Sequence, residues 1–391
     1  MWLSDFNLVL PGRIQSGGSL RIEAGKIAEI RASAVPGGVP GKGRMLYPGF
    51  IDMHGDMIEQ ELEPRVRVDF PMSVAMASLD ARLAAAGVTT AYAAVSFSRG
   101  ARDGERRSFD YTSTVIRELS EARTHARVDH RIHARFDITF DNAVGVLSDL
   151  LDEGRVDLVS LMDHTPGQGQ YRNLETHIKN KAAYHGVSDI EARQMVTTAM
   201  AERSRPQEVL LANMREVARL CASHGVPLAS HDDDTADKAN LMADLGAVMS
   251  EFPVTPEAAE VAIKRGMMTA MGAPNAMRGQ SYSGNLSARQ AHRLGLLSIL
   301  AADYHPGAIL AAVHALASQD PDGLAGATRL ASANPAKGLG LSDRGSLTVG
   351  KRADLFVADA SNRVVMTLRG GEVIHSDGTL TAERQPLPAA E

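Results

Sequence analysis

Short, almost wholly apolar runs recur along most of the chain, and longer stretches with a helical period separate them. The runs are Leu46–Met53, Val88–Val95, Ile132–Thr139, Val156–Met162, Val226–Ser230, Val248–Val254, Met267–Met271 and Leu296–Ala302. Segments such as Ser73–Ala86 and Gln207–Ser223 between them read as amphipathic helices. A strand that is apolar on both faces needs a cover on both faces, which is the mark of a parallel sheet layered with helices. Eight such units in succession predict an α/β fold with a closed (β/α)8, TIM-like barrel. The strand signals near Val248 and Met267 are the weakest of the eight.

The two ends of the chain follow another rhythm. Leu20–Ile30 reads as two short strands about Gly25, and Ala34–Gly43 is a Gly- and Pro-rich connection. Gly345–Asp359 and Val364–Ile374 again read as strands joined by turns. These segments predict a small β-sandwich built from residues 1–45 plus 340–391, with the barrel spanning 46–339. The last residues, with Pro386 and Pro388, predict a mobile end.

Composition narrows the field. The chain has 391 residues, 44% of them hydrophobic, enough for one large core and an accessory one. Aromatic residues are only 4%. The formal net charge is −6 and basic runs are lacking, which argues against nucleic acid as a partner. A local group of Arg, Lys and metal could still draw in an anionic small molecule. Cys221 is the single cysteine, which excludes an intrachain disulfide and a cysteine-based zinc site. The apolar stretch Leu294–Ala317 is broken by Asp303, His305 and Pro306, so no membrane span is expected. The start, Met1–Phe6, lacks a basic segment followed by an apolar one, so a cytoplasmic enzyme is the expectation. A homo-oligomer is compatible with all of this.

In a closed parallel barrel the chemistry gathers where the strands end. The first run ends in His54 and Asp56, and the third carries His133, Arg135 and Asp137 on one face. The fourth ends in Asp163-His164, the fifth in His231-Asp232-Asp233-Asp234, and the eighth in Asp303. A histidine at a strand end is commonly a structural hydrogen-bonder. Recurrence at five strand ends points instead to one or two divalent ions, Zn²⁺ or Mn²⁺, because imidazole nitrogen and carboxylate oxygen suit them and a cation offsets buried negative charge. His54, Asp56, His164, His231 and Asp303 lead this set. Asp137 stands between a ligand role and burial against Arg135. His125, His130, His177 and His185 read as solvated.

At this point the residues resemble a family. His54-Gly-Asp56 after a first strand, then His164, His231 and Asp303, is similar to the amidohydrolase superfamily of metal-dependent barrel hydrolases. The closing block Ser332–Leu341, Arg344-Gly and Gly350–Leu355 resembles that superfamily's return to its terminal sheet. Met162–Gln170, Ser230–Asp233, Glu251-Phe-Pro253, Met271–Asn275, Arg278-Gly, Ser283–Asn285 and Asp303–Pro306 narrow the likeness to the diphosphatase family of the carbon–phosphorus lyase pathway. That resemblance implies hydrolysis of a ribose 5-triphosphate carrying a 1-methylphosphonate, to the 5-phosphate and diphosphate. The chain departs from the pattern where the superfamily usually repeats His, at Asp56, and where the narrower family usually has Glu, at Asp137. Glu63–Pro71 also differs.

The mechanism expected on that likeness has His54, Asp56, His164 and His231 holding one or two ions, Asp137 completing a second site, and Asp303 as general base. The segment Met271–Ser287 suits a leaving diphosphate, with Gly272, Gly279 and Gly284 allowing close approach and Asn275, Arg278, Ser281, Ser283 and Asn285 as donors. Arg65, Arg67, Gln168, Gln170 and Lys181 are further candidates for phosphate or sugar contacts. Two other readings use the same metal set or none: hydrolysis of a C–N bond, as in a deacetylase or cyclic amidase, and a non-catalytic scaffold barrel.

Overall fold

The structure is a computed structural model and describes residues 1–65, 68–97, 109–139, 143–281 and 284–380. Eight parallel strands follow one another around a barrel. They are Phe50–Gly55 (β1), Val88–Phe97 (β2), Asp129–Asp137 (β3), Leu158–Met162 (β4), Leu228–His231 (β5), Met249–Glu251 (β6), Met268–Gly272 (β7) and Ile299–Ala301 (β8). Each pairs with the next in sequence. The ring meets at β8 and β1 through a parallel bridge between Gly55 and Asp303. Val248 and Met267, next to the weakest strand signals, lie one residue outside β6 and β7, which are short and wholly or almost wholly buried.

The seam between β8 and β1 is held by few bonds, and they are the ones that place chemistry. Asp303 N–H donates to His54 C=O at 2.9 Å, and Asp56 N–H donates to Asp303 C=O at 2.8 Å. Asp52, wholly buried, accepts from His54 N–H at 3.2 Å and from Ala302 N–H at 2.8 Å. Burial pushes the Asp52 carboxyl up to about 6. Inside the barrel, Ile51, Met53, Tyr92, Leu158, Ala229, Met249, Ala270 and Ile299 form one apolar plug, to which Ala336 and Leu339 add from the helix region after β8. The polar groups at the C-terminal ends of the strands collect above this plug.

The terminal segments form a second eight-stranded sheet. Seven of its strands run in the order Glu372–Ser376, Val364–Arg369, Leu355–Ala358, Met45–Pro48, Trp2–Leu10, Arg13–Glu23, Lys26–Arg31, and Val39–Pro40 pairs with Trp2–Leu10 off this path. Hydrogen bonding makes it one sheet, not two stacked ones. It curls enough for both ends to share a core: Ile27 from one end and Val365 and Leu368 from the other lie in one cluster with Leu3, Phe6 and Leu355. The run Leu46–Met53 is divided between the two sheets. Met45–Pro48 pairs with Leu355–Ala358, and the barrel begins only at Phe50. The break is at Pro48-Gly49, where a side chain on Gly49 would collide with Thr89.

An insertion between β4 and β5 folds as a helical hairpin, Leu174–His185 and Asp189–Arg203. Asn173 caps the first helix by accepting from Thr176 N–H, and Ser188 with Glu191 forms a capping box on the second. Ile178, Ala182, Ala192 and Val196 give the hairpin its own small core. Among the described residues no helix is long and apolar enough to cross a membrane.

His130 is not solvated, as its local sequence suggested. It is buried in β3 and bonds through Nε2 to Asp80 at 2.9 Å. Asp80, on helix Met72–Ala85, also accepts from Arg127 N–H and Val128 N–H, at 3.0 and 2.9 Å. Burial works against the Asp80 charge, but His130 and the two amides hold its carboxyl below the usual range. A carboxyl depressed on folding contributes stability that is present above its unfolded value of about 3.9 and is lost as pH falls through the folded one. Asp80→Ala is expected to cost about 3 kcal/mol at pH 7, because two buried donors and one part-buried donor lose their acceptor. Denaturant unfolding of the two proteins should show the gap at neutral pH and its shrinkage below about pH 4. An equal gap at all pH values would remove the charge from the account.

Candidate active site

The groups that the strand ends carry meet at one mouth of the barrel. Glu251, the last residue of β6, is wholly buried beneath the rest. Its Oε2 accepts from Nδ1 of His54 at 3.2 Å and from Nδ1 of His231 at 3.1 Å. Its Oε1 lies 3.5 Å from Nε2 of His133. With their ring protons on Nδ1, His54 and His231 turn Nε2 toward the cleft. There Asp56 Oδ1 lies 3.4 Å from His54 Nε2, and Asp232 Oδ2 lies 3.8 Å from His231 Nε2. His164 Nε2, from beyond β4, lies 3.7 Å from the same Asp232 oxygen. Phe252 packs edge-on against both His54 and His231, with centroids at 4.9 and 5.3 Å.

Three of the residues that turn the chain at this mouth adopt left-handed backbone: Asp232 (φ 54°), Phe252 (φ 54°) and Asp303 (φ 58°). Such a conformation is costly away from glycine and survives where its surroundings enforce it. Here each residue's N–H stays in the barrel ladder, donating to the C=O of Glu251, Ala270 and His54 respectively. Lys238 adds a clamp from the following helix, its Nζ donating to the C=O of His231 and Asp232 at 2.9 and 3.1 Å.

Negative charge is concentrated here and must be answered. Asp56, Asp232, Glu251 and Asp303 converge, with Arg135 as the buried cation among them. Arg135 Nη1 donates to Asp56 Oδ1 at 2.7 Å, and its Nη2 donates to His231 Nε2 at 3.4 Å. Burial opposes ionisation of Asp56, yet Arg135 and His54 hold its carboxyl well below the usual range. Burial likewise opposes the charge on His54, but Glu251 and Asp56 raise it to about 10. Burial takes His133 down to about 3. Burial and then Asp56 push Asp303 up to about 6.

These residues fit a divalent ion. His164, His231 and Asp232 each offer a donor atom within 4.8 Å of the others, as do His54, His133 and Glu251. His231 and Asp232 of the first group line the cleft, and Asp232 Oδ2 is a buried oxygen with no hydrogen-bond partner among the described residues. In the second, Glu251 Oε2 is already taken by two imidazole N–H groups, which suits a carboxylate that orients ligands better than one that binds. An ion among the Nε2 atoms would stand where His54 carries its extra proton, so binding would release that proton.

Asp137 lies outside both groups. Its Oδ1 accepts from Thr139 N–H and Oγ1, and its Oδ2 from Arg203 at 2.7 Å. Its partner is thus Arg203 of the helical insertion, not Arg135, and its oxygens are committed. Asp303 faces the cleft from the seam, its carboxylate resting against Gly272, where a Cβ would come within 2.8 Å of Oδ2.

The cleft above these groups is about 260 Å³. Asn275, Arg278, Ser281 and Asn285 line one wall. Asn275 Oδ1 accepts from Ala288 N–H, which holds that side chain in place. Asn285 Nδ2 donates to Gln170 C=O at 3.4 Å, so the loop after β4 is tied to this wall, and Gln170 itself lines the cleft. Gln168 does not line it, Arg65 is exposed on the strand-one side loop, and Lys181 lines a separate cavity. Ser283 and Arg67 lie outside the described residues, as does the tail with Pro386 and Pro388. Glu251 and Asp232 were missing from the ligand set read from sequence. The signal for both was present, since Asp232 closely follows the fifth apolar run and Glu251 interrupts the sixth.

The sequence profile described as the amidohydrolase family matches residues 45–374. Over 364 residues the chain is 36% identical to the α-D-ribose 1-methylphosphonate 5-triphosphate diphosphatase of Escherichia coli K12, covering 92% of this chain and 95% of that one. Similar solved structures include N-acetyl-D-glucosamine-6-phosphate deacetylase from Mycobacterium smegmatis, with 17% identity, a TM-score of 0.63, and 96% and 100% of the two chains covered. Another is 5-methylcytosine deaminase from Klebsiella pneumoniae, with 17% identity, a TM-score of 0.65, and 96% and 98% covered. At that identity these structures speak to the fold alone.

The contact between Gly272 and Asp303 gives a test. Gly272→Ala keeps an ordinary backbone conformation at φ −67° but drives the Asp303 carboxylate aside. With Asp303 as the general base expected from sequence, a displacement of this size is expected to cost about 10² in kcat. Metal content by elemental analysis and the thermal midpoint should stay near the parent's. Parent-like turnover would show that the position of Asp303 does not matter to the reaction.

Proposed function

The chain belongs to the amidohydrolase family, and from that premise we propose that it cleaves the phosphoanhydride bond of a ribose 5-triphosphate, releasing diphosphate and leaving the 5-phosphate. The polar lining that shares the cleft with Asp303 supports this reading. Asn275, Arg278, Ser281 and Asn285 gather several donors and one guanidinium around a single cleft. Among the described residues none pairs with Arg278, so its charge is available to an anion. An amide or cyclic ureide has no use for such a density of anion donors. The name of the Escherichia coli relative points to α-D-ribose 1-methylphosphonate 5-triphosphate as the substrate.

His164, His231 and Asp232, with His54 and Asp56 beside them, would hold a divalent ion, which would supply Lewis acidity toward a phosphoryl oxygen and make a nearby water more acidic. The remaining work falls to this chain's own groups. Glu251 fixes the rings of His54 and His231. Asp303, its carboxyl raised to about 6, is mostly ionised at neutral pH yet basic enough to take a proton. Water attacks the phosphorus nearest the sugar, its proton passes to Asp303, and the bond to the bridging oxygen breaks toward diphosphate. Arg278 and the amides of Asn275 and Asn285 hold the charge that develops on the leaving group. Phe252 and the loop carrying Gln170 keep bulk water from the imidazoles.

Purified protein assayed with divalent ions is expected to release diphosphate from ribose 5-triphosphates and to leave N-acetyl sugars and cyclic amides intact. Amide hydrolysis without diphosphate release would overturn the proposal. Asp303→Asn should retain metal and lose at least about 10² in turnover. Arg278→Ala should raise KM for the triphosphate by about tenfold, the loss of one charge-assisted contact.

A further inference from the structure

A second cavity, of about 290 Å³, lies beside the catalytic cleft and shares Gln170 with it as a wall. The 3₁₀ turn Gly169–Tyr171 and helix Leu174–His185 build it. Its lining is chemically one-sided. Lys181, His177, Asn173, Asn180 and Gln170 bring a cation, an imidazole and three carboxamides, and no Asp or Glu lines the space. The one acid on that helix, Glu175, is bound by Arg193 at 2.8 and 2.9 Å. Lys181 is half-buried and, among the described residues, makes no ion pair. Burial first, and then the nearby Arg203 guanidinium, hold its ammonium below the usual range. Arg203 is in turn neutralised by Asp137 on the barrel side. An ammonium half withdrawn from water, in a hollow lined by donors and without an acid, suits an anion.

We propose that this cavity is the subsite for a second anionic group of the substrate, a tetrahedral phosphonate or phosphate on the sugar carbon remote from the scissile phosphoanhydride. The inference rests on the reading above for the substrate class, with the triphosphate lying along Arg278 and the sugar passing Gln170. Lys181 gives the charge, while Asn180 and His177 give donors that suit several oxygens at once. The subsite separates a doubly anionic sugar from an ordinary triphosphate, for which Lys181 would remain unanswered.

The test is titration calorimetry on the full chain with three sugars that contain no phosphoanhydride bond: ribose 5-phosphate, α-D-ribose 1-methylphosphonate 5-phosphate and α-D-ribose 1,5-bisphosphate. The parent should bind the second at least about tenfold more tightly than the first, the worth of one charge-assisted contact. The third reports whether phosphate serves as well as phosphonate. Lys181→Met should bring that preference within about twofold and leave ribose 5-phosphate binding unchanged, and Lys181→Arg should keep it. Should Lys181→Met fail to fold, Asn180→Ala is expected to reduce the preference by roughly threefold through one lost hydrogen bond. A parent with no preference for either doubly anionic sugar, or variants that weaken all three ligands alike, would overturn the subsite. Because these ligands share the 5-phosphate and carry no anhydride, the preference among them reads the second cavity without any turnover. Absence of diphosphate release by the parent would instead strike the catalytic reading.

Discussion

A buried carboxylate shared by two imidazoles organises the mouth of this barrel. Glu251 Oε2 takes an N–H from His54 on one side of the ring of strands and from His231 on another. In the dry interior that arrangement is worth far more than it would be in water, because neither partner has an alternative. It fixes which nitrogen of each ring carries the proton and aims both remaining nitrogens at one point. Without Glu251 the same histidines could rotate, and nothing else among the described residues would hold their Nδ1 atoms.

The second constraint is charge. Asp56, Asp232, Glu251 and Asp303 stand close together above an apolar plug, and each pays for burial. Arg135 and a protonated His54 answer part of that charge from within the protein. A divalent ion would answer more of it, displacing a proton. Burial first, and then the neighbouring Asp56 charge, raise the basicity of Asp303 at the seam. Structure and chemistry at this mouth therefore both follow from acids gathered in a dry place.

The barrel seam links these effects to the backbone. β8 meets β1 through a handful of bonds around His54, Asp56 and Asp303, with Asp52 bridging from beneath. A seam so lightly bonded depends on the bonds that also place His54, Asp56 and Asp303. The terminal sheet braces β1 from outside, where Tyr47 and Phe356 stack at 4.8 Å and Phe50 meets Phe356 at 4.6 Å.

The eightfold alternation was legible in sequence because burial on both faces of a strand leaves an apolar run, whatever the strand's neighbours are. His54, His164, His231 and Asp303 were legible as a set because polar groups ending such runs violate the pattern, and barrel geometry sends strand ends to one face. Glu251 interrupted a weak run and was passed over, while Asp137, near the end of a strong one, was drawn in. What separated them was partner choice: Arg203 arrives from a helical insertion some 66 residues along the chain and claims Asp137, while two imidazoles from β1 and β5 claim Glu251. His130 was misread for the same reason, since Asp80 meets it from 50 residues away. The division of Leu46–Met53 between two sheets was also invisible, because both halves are apolar and only the collision at Gly49 sets the break. Local pattern, then, determined which strands exist and which residues stand at their ends. Tertiary structure alone decided how those residues pair, because hydrogen bonds and ion pairs among buried groups depend on distances that sequence separation does not encode.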